Sequence, residues 1–227
     1  MFKFRSHNVK SIEQIVDNRA LIFGLMSVFL CGIGFTIITP VVPFLVQPYI
    51  NNPGDQAKVV ALLTSVYAVC VFFSAPGLGA LSDRYGRRPV LLICLLGSAM
   101  GYLIFGMGGA LWVLFTGRII DGITGGTIST IFAYFADITP VKQRTKYFGW
   151  VSAVVGVGTV LGPTLGGLLA KFGYSVPIYF GAVITLLNFI YGILYMPESL
   201  NMNNRLKKIT FVRLNPFTQL ANVLSVK

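Results

Sequence analysis

A chain of 227 residues is long enough for one or two soluble domains, yet 55% of it is hydrophobic and only 11% charged, too few charges to cover a water-soluble fold. The net charge of +11 would suit a nucleic-acid surface if it formed one patch. The cations are instead scattered in short segments between long apolar runs, which excludes nucleic acid as a partner and points to a lipid bilayer. Ala20–Gly54, Val59–Ser82, Pro89–Gly117, Tyr147–Ala170 and Phe172–Pro197 contain no Asp, Glu, Lys, Arg or His, and about 20 apolar residues suffice to cross a membrane as a helix.

In chain order, residues 1–19 form a polar lead of mixed charge, expected to be a cytoplasmic amphipathic segment. No cleavable signal peptide is read, because the first apolar run is too long and follows that lead. Helix one is predicted over about Ala20–Val46, with Pro40 and Pro43 near its outer end. Gln47–Lys58, holding Asn51, Asn52, Pro53 and Gly54, is predicted as an external loop from its turn chemistry. Helix two follows over about Val59–Leu81. A short loop, Ser82–Arg88, leads to Pro89 in the first turn of helix three, which ends near Gly106–Gly109. Helix four is placed at about Leu111–Ala136, the next loop at Asp137–Lys146, and helices five and six at about Tyr147–Ala170 and Val176–Met196. The expected organisation is therefore a lead (1–19), an all-α domain of six transmembrane helices (20–196) and a polar, basic linker or tail (197–227).

Cations sort to one flank of these spans. The lead, the two loops after helices two and four, and the tail carry fifteen Lys and Arg, whereas the other flank receives only Lys58 and Lys171. By the positive-inside rule both termini are expected in the cytoplasm of a multi-pass protein of the cell membrane. Cys31, Cys70 and Cys94 all lie in apolar spans without metal-like spacing and read as small hydrophobes. No nucleophile–His–acid set, metal cluster or phosphate loop is found; His7 is the sole histidine. No catalytic residue, metal site or organic cofactor is expected.

An internal repeat is visible. Pro76 to Gly86 (PGLGALSDRYG) echoes Pro163 to Gly173 (PTLGGLLAKFG) at an offset of 87 residues. Three helices per unit invert the second copy, predicting two inverted three-helix repeats.

Three motifs carry candidate function. In Gly79-Ala-Leu-Ser-Asp-Arg-Tyr-Gly-Arg-Arg-Pro89, Gly79 permits close helix contact and Gly86 a tight turn. Asp83 and Arg87 can pair if the helix continues, and Arg84 and Arg88 can reach lipid headgroups. In helix five, Gly158, Gly162 and Gly166 step by four residues along one face, beside Pro163 and Gly167; Pro163 frees the carbonyl of Thr159 and should bend the helix. In helix four, Arg118 and Asp121 are set well inside a span. Unpaired, each would be costly in hydrocarbon, so they should face a cavity or one another. Helix one also offers Thr36 and Thr39, helix two Tyr67 and helix four Thr124 as polar side chains within the spans.

The first motif resembles the loop signature of the major facilitator superfamily, the glycine pattern of helix five is similar to the antiporter signature of its drug exporters, and Gly117-Arg118-Ile-Ile-Asp121-Gly122 is similar to its helix-four signature. The resemblance runs from Ala20 to Phe217 and is strongest to tetracycline-type antiporters. It implies half of a major facilitator fold and proton-coupled efflux of a small drug-like molecule by alternating access. It also implies a gating role for the loop of Gly79, Asp83, Arg84, Gly86, Arg87 and Arg88, in which Asp83 meets the other half of the transporter, and proton coupling through Arg118 and Asp121. It implies further a central cavity lined by helices one, two, four and five, with Thr36, Thr39, Tyr67 and Thr124 as candidates. Two acids of that family are missing: Cys31 stands in helix one and Gly101 in helix three. Cys31 also precedes Arg118 by the repeat offset, so helices one and four could bring them together, and Asp121 is expected to supply the missing counter-charge. Pro197-Glu198-Ser199 partly resembles the mark that ends a half. Because the family has twelve helices, three arrangements are open: a chain needing a second six-helix half, which is favoured, a half-size homodimer, or a non-transporting membrane interaction module.

Overall fold

The computed structural model describes residues 18–207, 214 and 216–218. The expected amphipathic lead and most of the tail lie outside the described residues. Those described form eight α-helices: α1 (Asn18–Thr36), α2 (Val42–Val46), α3 (Pro53–Tyr85), α4 (Arg87–Met107), α5 (Leu111–Ile123), α6 (Thr127–Ile138), α7 (Arg144–Leu169) and α8 (Val176–Tyr195), with no strand among them. Six stretches are long and apolar enough to span a bilayer: α1, α3, α4, α5 with α6, α7 and α8.

Two predicted helices are broken. Helix one stops at Thr36, turns through Ile37–Val41 and resumes as α2. Thr36 lies four residues before Pro40, whose ring clashes with the carbonyl of that residue and which lacks the N–H to continue the ladder. Helix four stops at Ile123 and restarts at Thr127 across Thr124-Gly125-Gly126. Both breaks begin 87 residues apart, so the first helix of each repeat ends at the matching position. The repeat recurs at the ends of α3 and α7: Gly86 and Gly173 hold φ of 111° and 132°, a left-handed backbone that glycine adopts without a Cβ penalty.

Helix α3 starts earlier than predicted because Asn52 accepts a hydrogen bond from the Gly54 amide at 3.2 Å, Pro53 follows in the first turn and Asp55 stands near the helix N-terminus. At 33 residues it extends about 50 Å, well beyond a hydrocarbon core of about 30 Å. Helices α3 and α7 continue through Pro76 and Pro163 without a break.

The apolar interior divides in two. One cluster, including Ile37, Val41, Val46, Phe105 and Ile178, packs around the turn of span one. The other, including Phe23, Leu91, Tyr134, Phe135 and Val151, packs at the end carrying Arg84, Arg87 and Arg144. Polar side chains collect between them.

Candidate functional site

That middle layer lines an open cavity of about 460 Å³. α1 contributes Cys31 and Phe35, α3 contributes Tyr67, and α4 contributes Ser98 and Tyr102. Asp121 of α5, Thr127 and Ser129 of α6 and Thr185 of α8 complete its polar lining. The two helix breaks flank it, the arrangement by which discontinuous spans expose backbone and polar groups only where a cavity receives them.

Asp121 is 2% exposed, and its Oδ2 accepts no hydrogen bond. Its nearest cation is Arg118, with Nη1 3.7 Å from Oδ2. The guanidinium of Arg118 also lies 4.5 Å from the ring centre of Phe105 and 5.8 Å from that of Tyr67. Aromatic faces thus share the solvation that water would supply. The expected pairing of Arg118 and Asp121 is present, and it abuts the cavity through Asp121.

Gly101 and Cys31, the two positions at which the resemblance implies acids, sit in different surroundings. A Cβ on Gly101 would fall 2.9 Å from the Asp121 Cβ and 2.9 Å from the Gly117 carbonyl, so α4 and α5 touch backbone to backbone where an acid would need room. Cys31 lines the cavity; its polar contact is Asn188 Nδ2 at 3.5 Å and not Arg118, which helices one and four could have brought to it. Asn188 also donates to the Ser27 carbonyl at 3.2 Å and accepts from Ser27 Oγ at 2.6 Å. This buried network ties α1 to α8, with every polar group of the amide satisfied. Asn188 is the one amide in an otherwise apolar run, a signal available in the sequence and not used.

Of the four polar candidates, only Tyr67 lines the cavity. Thr36 is buried at the α1–α7 seam, donating to the Gly32 carbonyl at 2.8 Å and the Gly158 carbonyl at 3.3 Å. Thr124 returns its hydroxyl to the Ile120 carbonyl at 2.9 Å and packs on Gly97, and Thr39 lies exposed in the turn of span one. Side chains in a helix choose nearby carbonyls when no cavity is presented to them. Tyr102, Ser98 and Thr185 are the cavity residues that the sequence reading missed.

The glycines of α7 divide by face. A Cβ on Gly158 would lie 3.1 Å from Gly32 Cα, one on Gly162 would strike Thr36 Oγ1, and one on Gly166 would strike the Ile37 carbonyl. These three hold α1 against α7. Gly167 meets nothing within 4 Å, and neither does Gly79, so the close contact expected at Gly79 is not made among the described residues. Pro163 is half-buried beside Gly162.

At the basic end Arg87 organises the second site. Asp83 and Arg87 do pair, at 2.5 Å, though not along a continuous helix: Gly86 ends α3 and the pair bridges the turn. Arg87 Nε also contacts Asp137 Oδ2 at 2.9 Å, and Nη1 donates to Ser82 Oγ at 2.6 Å. Glu198 accepts from the Arg87 amide at 2.9 Å, placing a carboxylate at the N-terminus of α4 where the helix dipole favours it. Its other oxygen lies 3.7 Å from Arg205, and the Leu206 amide donates to the Asp83 carbonyl at 3.0 Å. The segment after α8 is thereby fastened to the α3–α4 turn. Arg88 donates to the Ile193 carbonyl at 2.6 Å, capping the C-terminus of α8 rather than reaching outward; Arg84 is exposed over the Tyr85 ring. Asp137, assigned to a loop from sequence, belongs to this network.

The sequence profile described as Major Facilitator Superfamily matches residues 24–220. Over 183 residues the chain is 43% identical to the tetracycline resistance protein, class C, of Escherichia coli, covering 81% of this chain and 46% of that protein. It is 31% identical to multidrug resistance protein 2 of Bacillus subtilis over 86% of this chain and 48% of the relative. The chain thus spans about half the length of the curated relatives it matches. The crystal structure of the human organic anion transporter MFSD10 (TETRAN) superposes with a TM-score of 0.77 at 24% identity, over 89% of this chain and 54% of that one, a likeness of fold. With six apolar spans, an internal repeat and its loop signature in place, the chain belongs to the Major Facilitator Superfamily.

Proposed function

We propose that this chain is the amino-terminal half of a secondary active transporter that exports small drug-like molecules in exchange for protons by alternating access, working with a second six-helix half. The observation that carries the reading is the buried Arg118–Asp121 pair against a cavity of about 460 Å³, in a chain whose relatives include tetracycline and multidrug resistance proteins. A carboxylate with an unsatisfied oxygen beside one cation is suited to exchanging a proton as the cavity changes access. Arg118 then holds the charge of Asp121 when the proton leaves. The Gly86 turn, with Asp83 and Arg87, is the gate on the cytoplasmic flank, where the positive-inside distribution puts both termini.

The second half would cover α3 and α7, the least buried of the six spans. Gly79 and Gly167, open among the described residues, lie on those helices and suit close contact with incoming ones. The test is drug accumulation in cells expressing this chain with the second half of a tetracycline-type relative. Wild-type chain should lower accumulation and Asp121→Asn should abolish the proton-driven part of it. Unchanged, pH-independent export by Asp121→Asn would end the coupling role. Cross-linking in membranes separates a heterologous partner from a homodimer.

A further inference from the structure

Behind the polar cavity lies a smaller one of about 170 Å³, between α1, α6 and α7. Cys31, Phe35 and Ile128 line both, so side chains alone partition the two. The rest of the small chamber is apolar, walled by Val28, Ile131, Phe132, Val151 and Val155. Gly32 presents no side chain on the α1 wall, where a Cβ would lie 3.4 Å from Gly158 Cα. Thr159, at the rim, donates its hydroxyl to the Gly156 carbonyl at 2.7 Å, which leaves the chamber without a polar demand. An apolar cavity of roughly 150 Å³ stays dry and accepts one benzene ring.

Phe35 stands at the partition. It is 44% exposed, one residue before the end of α1, and its ring rests against Tyr67 at 5.6 Å between centres. Across the partition, Asp121 stands in the wall of the larger cavity, with Oδ2 buried behind the surface and without a hydrogen bond. One cavity therefore offers hydrogen-bonding and charge, and the adjoining one only apolar surface.

We propose that the small chamber is a specificity pocket that takes a single aromatic ring, carried as an arm by an amphipathic ligand whose hydrogen-bonding body stays with Asp121, Tyr67 and Tyr102. Its use in transport rests on the efflux reading above; the pocket itself is open to a test that needs no transport. Selection acts through size: an arm that fits gains about fourfold in affinity for each buried methylene equivalent, and a larger one meets the α1–α7 seam.

Cys31 supplies a reporter because its thiol borders both chambers. The full chain in lipid nanodiscs is treated with methyl or benzyl methanethiosulfonate, and modification at Cys31 is followed by peptide mass spectrometry. The Cys31 thiolate attacks the sulfenyl sulfur, a disulfide forms and methanesulfinate departs, so the two reagents differ only in the arm. Val155 lines the small chamber and not the large one. Val155→Phe should lower the benzyl-to-methyl rate ratio at least tenfold, and Phe35→Ala should raise both rates. Thr159→Leu, at an exposed rim position, should lower the same ratio and decides the matter if Val155→Phe does not fold. A ratio that Thr159→Leu and a folded Val155→Phe both leave within twofold of wild type overturns the pocket. Failure of the efflux reading would appear separately, as unchanged drug accumulation with the ratio shift intact.

Discussion

The Cβ that Gly101 lacks would stand 2.9 Å from the Cβ of Asp121. The position at which the family resemblance implies an acid is therefore filled by the neighbouring helix, which brings its own acid to the same level of the membrane. Restoring the carboxylate with Gly101→Asp should separate α4 from α5 instead of adding a coupling group. Overpacking of this kind costs about 1–3 kcal/mol, and Gly101→Ala should already show part of it as a lower thermal unfolding midpoint in detergent. A Gly101→Asp protein as stable as wild type would contradict the packing.

Arg118 and Asp121 should be separable in their effects. Arg118→Leu alone leaves a buried carboxylate without its cation, a change expected to cost about 3 kcal/mol or more. The double variant Arg118→Leu/Asp121→Leu removes both charges and should recover most of that stability; under the proposed function it recovers no coupled export. Denaturation in mixed micelles and proton-driven uptake into vesicles containing the paired transporter read the two properties independently.

The glycines of α7 offer a contrast within one helix. Gly162→Ala would drive a methyl into Thr36 Oγ1 and force α1 away, at about 1–3 kcal/mol. Gly167→Ala meets nothing within 4 Å, so the chain alone should keep or slightly raise its stability, as alanine is the better helix former. If the second half packs there, the same change should weaken assembly, seen as reduced co-purification.

Arg87 joins Asp83, Asp137 and Ser82 with a side chain 10% exposed. Arg87→Ala strands two carboxylates and should cost about 3 kcal/mol, the low end for a buried pair because Asp83 is 36% exposed. Lysine cannot reproduce the forked geometry, so Arg87→Lys should recover little. Arg84→Ala, at an exposed neighbour, should stay within about 0.5 kcal/mol. Thermal unfolding of the three variants side by side checks the order.

A double-mutant cycle on Ser27 and Asn188 should give a coupling of about 0.6 kcal/mol and no more than about 1.7, the range for hydrogen bonds between membrane helices. A coupling near zero would mean that the 2.6 Å contact contributes packing only.

Much of this was legible without coordinates. The repeat at 87 residues named the paired glycines, Gly86 and Gly173, and the stepped glycines of α7 marked a tight seam. The break in span one has a signal in Pro40, and that in span four has one in Gly125-Gly126; both spans nonetheless look continuous in the sequence because hydropathy carries across a short turn. Thr36 was misplaced for a related reason. A threonine in an apolar helix looks the same whether it faces a cavity or returns its hydroxyl to a carbonyl one turn back.

By itself the sequence determined how many apolar spans the described residues hold and which flank of them collects the cations, since bilayer thickness and charge desolvation act on each segment regardless of its neighbours. Only the tertiary structure decided which face of each span turns inward: that Asp121 occupies the space denied to residue 101, that Cys31 answers to Asn188, and that an apolar chamber lies behind Phe35. Spans that are apolar on every side lack the polar face that would orient a helix in water, so their rotation is chosen by packing, where glycines let backbones meet.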